Sequence, residues 1–158
     1  MKNLKLLTLI TLTIIAPGLN AADTLKPFIT DGCTMFVDGT ISSPGLWRSC
    51  CVEHDLRYWY GGSESEMDAT DNHIRDCVER VAGASWAKVV YTGIRAGHYS
   101  PIKNKYQWSW GWNQKREKTP LTAEESTYVI GEIRALQNTE DVNVEDFIKR
   151  NFPNQTAL

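Results

Sequence analysis

The first apolar run of the chain, Leu6 to Ile15 with threonines interspersed, is continuous rather than periodic. Beyond it the apolar positions recur at helical spacing. Cys50, His54 and Tyr58 fall at i, i+4 and i+8 on one predicted helix, with Cys51 and Asp55 on the neighbouring stripe. After the Gly61-Gly62 break, Ser63 with Glu66 makes a capping box, which predicts a second helix running to the Gly83 region. Trp86, Val89, Val90 and Ile94 predict a core-facing third helix over 84–97. Thr122 with Glu125 opens another, with Tyr128, Val129, Ile133 and Leu136 on its apolar side, and Val144, Phe147, Ile148 and Phe152 predict a last one over 143–152. The fold class expected is all-α, with two antiparallel helices as its centre because the first two are joined by so short a turn.

One stretch does not read as a helix. Tyr99, Tyr106, Trp108, Trp110 and Trp112 crowd together among Gly, Pro, Ser and Lys. The alternation of Trp108, Trp110 and Trp112 fits a strand face packed on the core. It also fits an interfacial surface, since tryptophan favours the membrane boundary and Lys103, Lys105, Lys115, Arg116 and Lys118 flank it.

The N-terminal run decides the compartment. Lys2 and Lys5 precede it and Asn20-Ala21-Ala22 follow it, so residues 1–22 read as a secretory signal peptide; the run is short for a membrane span. Residues 23–158 then form a single domain, exported to a periplasm or to the medium. Without the two lysines the formal charge falls from -2 to -4. An acidic chain without a basic face or a phosphate-cradling glycine loop excludes the nucleic-acid-binding and nucleotide-binding classes.

Export also changes the meaning of the cysteines. In an oxidising compartment Cys33, Cys50, Cys51 and Cys77 are expected to form two disulfides, and no CxxC spacing offers a zinc site. Four cysteines allow three pairings, of which the one joining neighbours Cys50 and Cys51 is strained and least favoured. If Cys50 pairs with Cys77, His54 lies roughly 6 Å along the first helix and Asp71 roughly 9 Å back along the second, so the two face each other. The other bridge would then tie Cys33, and with it Asp31-Gly32, down beside Asp55.

That arrangement separates two roles. A neutral His54 can take a proton from water while Asp71 holds its other ring nitrogen. Asp31 and Asp55, with backbone carbonyls near Gly32, offer the hard oxygen donors that calcium prefers, and calcium would polarise an ester carbonyl. Each residue alone has an ordinary reading, His54 as a core histidine and Asp55 as a surface carboxylate. His73 and His98 are read as ordinary polar positions.

CCVEHDLRY (50–58) followed by DNHIRDC (71–77) resembles the CCxxHDxxY and DxxxxxC signature of the secreted phospholipase A2 enzymes. The resemblance covers Asp31 to Cys77 and stops near Val81. It implies His54 as base, Asp71 as its partner, Tyr58 as a hydroxyl donor to Asp71, Asp55 as a calcium ligand, and disulfides Cys33–Cys51 and Cys50–Cys77. The loop DGCTMFVDGT (31–40) differs from the YGCYCGxGG pattern of the animal enzymes. It is similar to the shorter prokaryotic branch, where an aspartate two positions before the loop cysteine helps bind calcium; that position is Asp31, with Gly32 as carbonyl donor.

The function expected is therefore a calcium-dependent phospholipase A2-type hydrolase, acting on glycerophospholipid at a membrane or micelle surface. The alternatives are an esterase for another lipid, and a non-catalytic lipid-binding or membrane-perturbing protein on the same scaffold.

Overall fold

Three of the helices begin at a side chain that satisfies backbone N–H groups left open by helix geometry. Ser63 accepts from Glu66 N while the Glu66 carboxylate accepts from Ser63 N, and Thr122 and Glu125 do the same. Asn143 accepts from Asp146 N. The computed structural model describes residues 23–34, 36–99, 106–136 and 141–155. Among these the chain forms five helices and no strand: α1 (Arg48–Tyr60), α2 (Glu64–Ala82), α3 (Ala84–Tyr99), α4 (Ala123–Arg134) and α5 (Val144–Asn151). The fold is all-α and linked by disulfides. Residues 1–22, where the signal peptide is expected, lie outside the described residues, as do Lys103 and Lys105. No helix among the described residues is long and apolar enough to cross a membrane.

The hairpin of α1 and α2 turns on Gly61, whose φ of 70° suits glycine and where a Cβ would run into Ser109 Oγ. The adjacent cysteines of α1 are about 100° apart around the helix axis, so they reach different elements. Cys50 bonds to Cys77 near the far end of α2, with Cα atoms 5.8 Å apart. Cys51 bonds to Cys33 in the preceding loop, with Cα atoms 5.1 Å apart.

Helix α1 serves two cores. Val52, Leu56, Trp59 and Tyr60 pack against Val129, Ile130 and Ile133 of α4 and Phe147 and Ile148 of α5. Its other side, with Trp47, Cys50 and Cys51, packs against Ile74 and Val78 of α2 and Ala87 and Val90 of α3. This seating differs from the expected one in α3. The stripe Ala87, Val90 and Ile94 faces the core, whereas Trp86 and Val89 are exposed, because α3 packs chiefly on α2 and only one narrow stripe is covered.

The tryptophan segment is neither a strand nor an exposed aromatic face. Residues 108–111 form successive turns and Trp112 makes an isolated antiparallel bridge with Leu25, while two N–H groups of the segment satisfy carbonyls at the end of α1. Ser109 N donates to Tyr58 O at 2.8 Å and Gly111 N to Trp59 O at 2.9 Å. The Trp112 indole donates to Tyr60 O and that of Trp108 to Gly62 O, both at 2.8 Å. The pairing with the extended chain at Leu25 goes no further than this one bridge, through Lys26 N to Gly111 O at 2.7 Å and Asn113 N to Thr24 O at 3.0 Å. Of the flanking cations, Arg116 pairs with Glu125 and Lys118 with Glu64, so both are engaged within the fold.

Candidate functional site

Hairpin geometry brings α1 and α2 together at a buried carboxylate. Asp71 has no solvent exposure. His54 Nε2 donates to its Oδ1 at 3.2 Å, and the Tyr58 hydroxyl donates to the same oxygen at 2.7 Å. Residues 54 and 58 are one turn apart on α1, and their rings lie 4.2 Å apart in a stacked arrangement. Burial works to raise the Asp71 carboxyl, but the hydrogen bonds from His54 and Tyr58, followed by the charge of His54 and the bond from Arg95, outweigh it and hold it below its ordinary value. The Tyr58 hydroxyl is pushed up, first by burial and then by the charge of Asp71, so it stays a proton donor.

The second oxygen of the same carboxylate belongs to α3. Arg95 Nη1 donates to Asp71 Oδ2 at 3.1 Å and His98 Nδ1 lies 3.3 Å from it. Arg95 also reaches Asp68 Oδ1 at 2.6 Å, and His98 Nε2 lies 2.8 Å from Met67 Sδ. His98 is thus not an ordinary polar position, and Arg95 was not singled out from sequence. A usable signal existed: Asp71 and Arg95 each stand 12 residues from Gly83, so an α2–α3 hairpin sets them at one height. His73 instead meets Glu53 at 3.3 Å on the surface.

Of the residues singled out for calcium, Asp31 and Gly32 lie in the loop tied by Cys33 and Asp55 meets that loop from α1. Asp55 Oδ2 accepts from the Thr30 hydroxyl at 2.7 Å, and Gly32 N donates to the same Thr30 oxygen at 3.1 Å. Burial pushes the Asp55 carboxyl up to about 6, and among the described residues the Thr30 hydroxyl is its only hydrogen-bond donor. Asp31 is exposed; its Oδ1 accepts from the Thr34 hydroxyl at 2.8 Å, and its charge adds to the upward push on Asp55. Arg48 fastens this loop from α1. Its Nη1 donates to Asp31 O and to Asp38 Oδ2, both at 3.0 Å, and its Nε donates to Asp141 Oδ2 at 3.1 Å. Asp38 Oδ1 in turn accepts from Cys33 N at 2.6 Å. Gly32 has φ 87°, and a Cβ there would strike Arg48 and Asp38.

These donors fit a hard cation. A half-buried carboxylate without a strong partner favours one, Asp31 adds negative charge, and Gly32 O accepts no hydrogen bond among the described residues. No three His, Cys, Asp or Glu side chains among the described residues cluster as a metal group. A cation here would therefore take backbone oxygens and water beside its carboxylates.

Fold and site together define an all-α, disulfide-linked protein with a His–Asp–Tyr constellation at a helix hairpin. No protein-family model, curated protein or solved structure matches the chain.

Proposed function

We propose that this chain is an exported, calcium-dependent hydrolase of phospholipase A2 type that cleaves an acyl ester of a glycerophospholipid. The observation that carries the reading is His54, held through Nε2 by a fully buried Asp71, directly preceding Asp55 at the loop of Asp31 and Gly32. With Nε2 committed to Asp71, the other ring nitrogen is left to take a proton from water. Asp71 accepts the Nε2–H bond and stabilises the imidazolium as it forms, and Tyr58 keeps the accepting oxygen in place. Asp55, Gly32 O and Asp31 would hold the calcium ion, which when bound supplies positive charge to the ester carbonyl and its developing oxyanion.

A lipid surface as the peripheral partner is supported at a different place from the tryptophan segment. Phe36, Val37, Ile41 and Leu46 are exposed in the loop that follows Cys33, and Trp86 is exposed on α3. Trp47 links the two groups, since its indole donates to Val37 O at 2.7 Å and its ring lies 5.0 Å from that of Trp86. Two disulfides support export, to the periplasm or the medium.

The same exposed residues favour a second reading, a lipid-binding or membrane-perturbing protein without catalysis, and an esterase for another lipid shares the first reading's site. Oxidised protein is to be incubated with mixed phospholipid vesicles in calcium or in excess chelator, and released fatty acid measured by mass. Calcium-dependent release that His54→Gln abolishes, with melting temperature and vesicle binding retained, is the expected result. Vesicle binding without release in either condition would favour the lipid-binding reading.

A further inference from the structure

Asp71 lies at the crossing of three helices, and its two oxygens are divided between them: Oδ1 serves His54 and Tyr58 of α1, Oδ2 serves Arg95 and His98 of α3. A carboxylate has freedom about its terminal torsion. Donors on one oxygen alone leave it able to swing, and His54 would swing with it. A guanidinium and an imidazole on the opposite oxygen remove that freedom from the other side.

We propose that Arg95, with His98 beside it, is a positioning residue of this site, holding Asp71 so that Oδ1 is presented to His54 Nε2. The inference rests on the proposed hydrolysis and extends its machinery to a helix beyond the span of the family resemblance. It depends on two features of α3. Arg95 and His98 are three residues apart and so share a face, and the short joint at Gly83 sets that face against Asp68 and Asp71 on α2. Arg95 is only partly exposed, and its Nη1 is shared between a buried acceptor, Asp71, and an exposed one, Asp68. The two acceptors allow its structural contribution to be separated from its effect on the site.

The test compares Arg95→Met, Arg95→Lys and Asp68→Asn with the native chain, in oxidised protein with calcium. kcat and KM are measured on a dispersed short-chain phospholipid, beside the melting temperature. Arg95→Met is expected to lower kcat by roughly tenfold to a hundredfold at unchanged KM, since small misplacements of a catalytic group have effects of that order. Arg95→Lys, which keeps a cationic donor, is expected to recover most of the loss. Asp68→Asn is expected to leave kcat unchanged. A second readout is the tautomer of the His54 ring by nitrogen NMR, assigned with His54→Gln. The native chain is expected to hold the proton on Nε2 and Arg95→Met to show a mixture. The proposal is overturned if Arg95→Met keeps native kcat and a single tautomer, or if kcat falls only in step with melting temperature across all three variants. A native chain that hydrolyses no phospholipid counts against the proposed function, and the tautomer comparison then decides the positioning role by itself.

Discussion

Asp55 and Asp71 stand on adjacent helices of one hairpin, and their surroundings move their acidities in opposite directions. Asp71, ringed by donors, is held below its ordinary value. Its stabilising contribution is present above 3.8, the ordinary aspartate value, and is lost as pH falls through its folded value. Asp55, half-buried and with the Thr30 hydroxyl as its donor among the described residues, goes from 3.8 up to about 6. Its sign is reversed: the folded chain binds the proton more tightly than the unfolded one, so stability is lost as pH rises from 3.8 through about 6. The shift corresponds to at most about 3 kcal/mol of destabilisation at neutral pH. Asp55→Asn is therefore expected to raise the melting temperature at pH 7 in chelator by several degrees and, on the proposed function, to show no further rise with calcium where the native chain is expected to show one. An unchanged melting temperature in Asp55→Asn would mean that its carboxylate carries no such desolvation cost. At this scale the facing of His54 and Asp71 was legible because helical spacing and hairpin arithmetic act on neighbouring segments, whereas the bond from Tyr58 to Asp71 was implied only by the family resemblance. Arg95 and His98 were not legible, because they lie on the far side of Gly83 and neither stands in a recognisable motif.

Among the elements, the helices were legible where their caps are written in the chain, as Ser63 with Glu66 and Thr122 with Glu125 show. The side of α3 that faces inward was not, because Trp86, Val89, Val90 and Ile94 span a wider arc than its main neighbour, α2, covers. The tryptophan segment misled for a related reason. Alternation records which side chains share a face of an extended chain, but residues 108–112 are placed by what the end of α1 lacks. Trp112→Phe tests this directly, since it keeps the ring in the core and removes the donor to Tyr60 O. A loss of about 1–3 kcal/mol in denaturant unfolding is expected, the cost of a buried carbonyl left unpaired. If packing alone held the segment, the phenylalanine variant would unfold like the native chain.

For the whole molecule, the two bridges carry a share of stability that 23–158 could otherwise find only in a larger core. They join residues 18 and 27 apart, and in the loop-entropy account each contributes roughly 3 kcal/mol. Both meet α1 at its first turn, one tying it to α2 and the other to the loop of Asp31 and Gly32. On the proposed function, reduction under native conditions is therefore expected to remove phospholipid hydrolysis at a temperature where α4 and α5 still give helical circular dichroism, and reoxidation to restore it. Hydrolysis that survives full reduction, verified by thiol titration, would show that packing alone assembles the site. The adjacent pair Cys50-Cys51 then acquires a meaning in time as well as in space. On the expected outcome of reduction, an exported chain still in a reducing cytoplasm, with neither tie formed, would not yet bring His54, Asp71 and the loop carboxylates together. On the proposed function, the cell that makes the protein carries it in an unarmed form, and the oxidation that follows export arms it on the far side of the membrane it would otherwise attack.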